Sequence, residues 1–178
     1  VSLAGHGVII SQAYSELKTL AENAQIPVIT TLLGISCFPE DHVLSAGWPG
    51  MHGLAYSSLA IDESDLLIAL GMRFDDRITG NPSKFSTNSK KIHVDIDPSE
   101  IGKNIHVDVP IVGDVKEVLL SLNELVDPKT HPDWIKRIEQ LKKEHPSLDL
   151  PKTGKLLARQ AIRDISEITD GRAIVAQG

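Results

Sequence analysis

LLIALGMRFDDRITGN, residues 66–81, is an apolar strand pattern that runs into Gly71 and then into a packed run of alternating charge. In open α/β sheets, ligands lie outside the carboxyl ends of the strands. Arg73, Asp75, Asp76 and Arg77 therefore emerge where a site is expected. The same run can equally form a self-neutralising surface network, the usual fate of mixed charge.

Working outward, apolar strands alternate with helical patterns over the first two thirds of the chain, which predicts a parallel sheet covered by helices. Strands are expected at residues 1–3, 28–31, 66–70, 91–94 and 109–112. Residues 12–24 carry Leu17, Leu20, Ala21 and Ala24 at helical spacing, with Ser11 as candidate cap. Residues 53–61 read as a shorter helix. Residues 114–125 place Val115, Val118, Leu119, Leu122 and Leu125 on one stripe behind Asp114 at the N-cap. The expected fold class is α/β, a Rossmann-like parallel sheet flanked by helices. After Val126, two prolines in DPKTHPD precede a charged helix at 134–144, read as a connector outside the sheet. A turn-rich stretch at 146–154 leads to a helical pattern at 155–168, and Asp170-Gly171 turns the chain into an apolar strand at 172–176. Strands at both ends predict a piece of a longer polypeptide.

Composition narrows the function classes. Among 178 residues, 41% are apolar and 24% charged, an ordinary globular balance, and no apolar run approaches the roughly 20 residues of a membrane helix. The opening VSLAGHGVII has no basic n-region, so no secretory signal and a cytoplasmic location are expected. Cys37 is the single cysteine, which excludes an internal disulfide and a cysteine-built metal site. A net charge of −6, with Lys and Arg unclustered, argues against a nucleic-acid partner, and the seven histidines form no HExxH spacing.

Other strand ends also carry glycine or charge. Ala4-Gly5-His6-Gly7 is a glycine turn whose backbone N–H groups could approach an anion, or which simply reverses the chain. A conventional NAD fingerprint is unlike it. Ile10 stands where the third glycine belongs, and Thr30, Thr31 and Leu32 stand where an acid is needed. In IHVDIDP, Asp95 can accept from vicinal ribose hydroxyls, whereas Asp97 before Pro98 reads better as the start of a turn and the cap of a short helix at 99–102. Gly113-Asp114 again sets capping against ligand contact. Trp48-Pro49-Gly50-Met51-His52-Gly53 is a glycine-rich loop, in which His52 has a plain surface or packing reading. Together the strand ends imply an extended ligand with phosphates, such as a dinucleotide. No nucleophile and base pair and no metal cluster is legible, so the chain reads as built to bind and position.

At these residues the chain resembles the catalytic large subunit of acetohydroxyacid (acetolactate) synthases, thiamine-diphosphate enzymes of branched-chain amino-acid synthesis. AGHG at 4–7, IPVITTLLG at 26–34, GMHG at 50–53, GMRFDDRITGN at 71–81, HVDIDPSEIGKN at 93–104 and GDV at 113–115 carry the likeness, which spans essentially the whole chain. The resemblance implies a central FAD-binding domain at 1–126, a connecting helix and linker at 127–152, and the first helix and strand of the C-terminal thiamine-diphosphate domain at 153–178. It implies that FAD, which does no redox turnover in the family, contacts Gly5, His6, Gly7, Thr31, Leu32, Met51 and His52. The implied contacts continue through Gly71, Arg73, Asp75, Arg77, Ile78, Asp95, Ile96, Asp114 and Val115.

Arg77 and Met51 are further implied to face the substrate funnel, with Arg77 holding the carboxylate of the second 2-oxo acid. Family members condense two pyruvates, or pyruvate and 2-oxobutyrate, with loss of carbon dioxide. Thiamine diphosphate and Mg²⁺ are implied for the parent enzyme through segments absent here, so the chain alone is expected to be inactive. A homo-oligomer and a regulatory small subunit belong to the same implication. His6 departs from the small residue of many relatives. Two rivals remain at this point: a flavin-free central domain of another thiamine-diphosphate carboligase or decarboxylase, and a purely structural linking domain.

Overall fold

The computed structural model describes residues 1–147 and 157–175. They fall into two compact units, one at 1–145 and one from residue 146 onward.

The first unit is built on five parallel strands, β1 (Ser2–Ala4), β2 (Val28–Thr30), β3 (Leu66–Leu70), β4 (Lys90–Asp95) and β5 (Val109–Val112), in the order β2-β1-β3-β4-β5. Its register pairs Leu3 with both Ile29 and Ala69, and Leu70 with Val94. Because side chains alternate across a pleated strand, each central strand feeds both faces. Ala4, Val28, Ile68 and Leu70 pack on one side and Leu3, Ile29, Leu67 and Ala69 on the other. This explains why β3 reads as a continuous apolar run rather than an alternating one.

Helices α1 (His6–Ile10), α2 (Tyr14–Ala24) and α5 (Val115–Leu125) cover the first face through Val8, Leu17, Leu20, Ala21 and Leu119. Asp114 caps α5 as expected, accepting from the amides of Lys116 and Glu117. Ser11 does not cap α2. Its hydroxyl donates to Gly7 O and closes α1, while Gln12 in left-handed backbone (φ 53°) separates the two helices. Cys37 is buried beneath this layer, and that burial pushes its thiol up to about 11.

The second face is covered by α3 (Ala55–Glu63) and α6 (Pro132–Glu144). Ala60, Ile61, Ile138 and Leu141 are buried there with the sheet residues. The charged helix expected as a connector is thus part of this unit. Its outer face carries Arg137, which holds Glu63 of α3 in a two-pronged ion pair at 2.7 and 2.6 Å. The short α4 (Asp76–Thr79) follows β3. No helix forms at 99–102, where Asp97 instead accepts from the Ser99 amide within a run of turns.

In the second unit, α7 (Ala158–Ile168) fills the expected helical pattern, whose first two residues lie outside the described set, as does most of the 146–154 stretch. The strand expected at 172–176 is not formed over its described part, 172–175. A strand needs a neighbour for its main-chain groups. Among the described residues none pairs with this segment, and Ile174 is fully exposed.

Candidate functional site

The strand order reverses direction between β1 and β3, since the chain moves from β1 outward to β2 and then returns to β3 on the opposite side. Such a switch point leaves a crevice at the carboxyl ends, because the connections leave in opposite directions. A cleft of about 500 Å³ lies there.

Each wall comes from a strand end. The β1–α1 turn contributes His6, and the segment after β2 contributes Thr31 and Leu32. The loop before α3 contributes Met51 and His52. The segment after β3 supplies Gly71, Arg73, Asp75, Arg77 and Ile78, and Asp95 closes β4. The cleft therefore gathers most of the cofactor residues expected from the sequence. It also includes Leu33, Trp48, Pro49 and Met72, which were not expected. Trp48 and Pro49 lay in the quoted glycine-rich loop, but local pattern gives no measure of which loop residues turn inward.

Five expected residues lie outside the cleft lining. Gly5 and Gly7 flank His6 in the β1–α1 turn. Their amides donate to Leu70 O and Gly71 O, both at 2.9 Å, so these two N–H groups are committed within the protein. A Cβ on Gly7 would sit 2.6 Å from Gly71 Cα, and Gly71 itself has φ +56°. The glycines permit two turns to touch, a packing role for a turn that the sequence left open between chain reversal and anion contact. Val115 is a core residue against the same spot, Asp114 is committed to its cap, and Ile96 projects into solvent beyond Asp95.

Within the β3–α4 segment, side chains alternate in role. Met72 and Phe74 are buried and Arg73 and Arg77 are exposed. Asp75 N-caps α4, accepting from the Arg77 amide at 2.9 Å. That bond, together with the neighbouring Asp76 side chain and the charges of Arg73 and Arg77, holds its carboxyl below the ordinary range. Asp95 is nearly buried and accepts from the Asp97 amide at 2.9 Å. One Arg77 nitrogen lies 3.9 Å from Met51 Sδ. These two residues also line a second cavity of about 440 Å³ reaching toward Lys84 and Phe85.

The donor set suits a ligand with a flat apolar part and an anionic part. Leu32, Leu33, Trp48, Met51 and Ile78 give apolar walls, and two guanidiniums give forked donors for phosphate or carboxylate. Among the described residues no three His, Cys, Asp or Glu side chains come together as a metal site. No described helix is long and apolar enough to cross a membrane.

Residues 1–122 match the family described as thiamine pyrophosphate enzyme, central domain. Among similar curated proteins is a probable acetolactate synthase large subunit of Methanocaldococcus jannaschii, 53% identical over 80% of this chain and 25% of its own length. Others are the acetolactate synthase of Mycobacterium leprae, 42% identical over 98% of this chain, and the acetolactate synthase large subunit of Corynebacterium glutamicum, 44% identical over 98%. The chain spans 29% of the length of each of these two.

Proposed function

Because the chain belongs to the family of thiamine pyrophosphate enzyme central domains, we propose that it is the FAD-holding portion of an acetolactate synthase large subunit. The observation that carries this reading is the convergence of Arg73, Asp75, Arg77 and Asp95 with apolar walls in one cleft at the sheet's switch point. The names and identities of the relatives support the activity of the parent, condensation of two pyruvates, or pyruvate and 2-oxobutyrate, with loss of carbon dioxide.

When bound, FAD would supply a planar ring system and a pyrophosphate, with no redox turnover assigned to it. Arg73 would hold the pyrophosphate, while its neighbour Asp75 fixes the α4 turn that carries Arg77. Asp95 would accept from ribose hydroxyls. Leu32, Met51 and Ile78 would exclude water from the ring. Arg77, shared between the two cavities, takes the carboxylate of a 2-oxo acid as Met51 bounds its path. No step through thiamine diphosphate or Mg²⁺ rests on residues of this chain. A homo-oligomeric parent with a regulatory subunit and a cytoplasmic setting belong to the same reading, as do the boundaries 1–126, 127–152 and 153–178, the helix of the middle segment being packed on the sheet's second face.

Titration with FAD, followed by flavin fluorescence, tests the proposal. Saturable binding that weakens in Arg73→Ala is expected. A folded chain that takes up no FAD would mean that the rest of a longer protein completes the site, or that the flavin part fails in favour of a flavin-free relative or a linking domain.

A further inference from the structure

The Arg73-bearing segment, 71–75, has no regular secondary structure, yet two of its carbonyls are held by side chains from another part of the chain. Nε2 of His93 donates to Met72 O at 2.8 Å, and Nδ2 of Asn104 donates to Phe74 O at 2.7 Å. His93 lies on β4 and is completely buried. Its ring stands edge-to-face on Phe74 with centroids 4.9 Å apart, and Phe74 meets Phe85 in the same way at 5.9 Å. Since a carbonyl can only accept, the Met72 bond assigns the proton to Nε2 and leaves Nδ1 bare. That Nδ1 atom is buried without a partner among the described residues. A buried unpaired acceptor is costly. The residue type here is therefore explained by the donor at Nε2 better than by core filling, which Phe or Leu would do without an orphan.

The side chains flanking Arg73, Met72 and Phe74, are buried while Arg73 is exposed, so holding the Met72 and Phe74 carbonyls fixes the main chain between two buried anchors and keeps Arg73 on the open side. There Arg73 lines the cleft. We propose that His93 and Asn104 are positioning residues that clamp the Met72–Phe74 main chain and so aim Arg73 at an anionic ligand, here the pyrophosphate of a dinucleotide. The proposal rests on the flavin reading for the ligand but not for the clamp itself.

The test uses the full chain and FAD as probe, with His93→Phe, His93→Gln, Asn104→Ala, Arg73→Ala and the double variant Arg73→Ala/His93→Phe. His93→Phe keeps ring, burial and the Phe74 contact while deleting the donor; His93→Gln restores an amide donor of similar reach. Expected are a roughly tenfold loss of FAD affinity in His93→Phe, recovery in His93→Gln, and a double variant no weaker than Arg73→Ala alone. Hydrogen exchange of the amides at 72–76 is measured without ligand on the same proteins. Faster exchange in His93→Phe and Asn104→Ala, reversed in His93→Gln, is expected whether or not FAD binds. Unchanged affinity with unchanged exchange overturns the clamp and leaves the flavin reading standing, as would losses that multiply in the double variant. Where the wild-type chain takes up no FAD, the exchange result decides the clamp alone.

Discussion

The turns that end β1 and β3 lie side by side at the same sheet edge, and in the sequence each carries a ligand reading beside a plain one. They do different work. The β1 turn, Gly5 to Gly7, commits the amides of both glycines to carbonyls of the β3 turn and uses their missing side chains to let the backbones touch. The β3 turn sends Arg73 and Arg77 into the cleft and caps its own short helix with Asp75. One turn is a packing joint and the other lines the cleft. The lesson is that a glycine turn offers donors to a ligand only where those donors are not already engaged by the fold.

Substitutions can break this contrast if it is wrong. The largest effect is expected from Gly7→Ala, whose Cβ meets the Gly71 backbone and cannot be relieved by a side-chain rotation. A loss of about 3 kcal/mol in urea denaturation is expected, whereas near-wild-type stability would show that the joint has slack. Arg73→Ala should do the reverse, keeping the denaturation midpoint and losing about 1.5–3 kcal/mol of FAD affinity, the range for bonds to charged groups. Asp75→Ala sharpens the comparison within the β3 turn by removing the cap of α4, at about 1 kcal/mol. The Asp75 carboxyl titrates below its ordinary 3.8 in the fold. Its stabilisation is therefore whole above that value and disappears as pH falls through the lower one. The wild-type and Asp75→Ala stability curves should converge only in that acid limb; a gap that closed near neutral pH would contradict the assignment. The smallest effect is expected from His6→Ala. His6 is exposed and its Nδ1 meets Leu33 O at 3.0 Å, a contact worth about 0.5 kcal/mol or less at the surface.

Much of the fold was legible because parallel-sheet strands announce themselves as short apolar runs and amphipathic helices as stripes. The bounds of β3 and β5 and the Asp114 cap follow from such local signals. Ser11 failed as a cap because it closes the short helix before it, with left-handed Gln12 between it and α2, and residues 172–175 failed as a strand because a strand is a property of pairs. The 134–144 helix looked like a connector because its charged face dominates the composition, while only Ile138 and Leu141 lie deeply buried. At the site, charge at a strand end was visible in the sequence. The inward turn of Trp48 and Leu33 was not, nor were the bonds of His93 and Asn104 to carbonyls 21 and 30 residues away. Contacts of that separation leave no periodic trace.

FAD is expected to lie in the cleft at the strand ends. Hydrogen exchange with and without saturating FAD tests this placement most directly. The expected result is new protection over 31–33, 48–52 and 73–78, with the Gly5 and Gly7 amides equally protected in both states because their partners are internal. Protection confined to the β1 turn, or spread over neither turn, would contradict it.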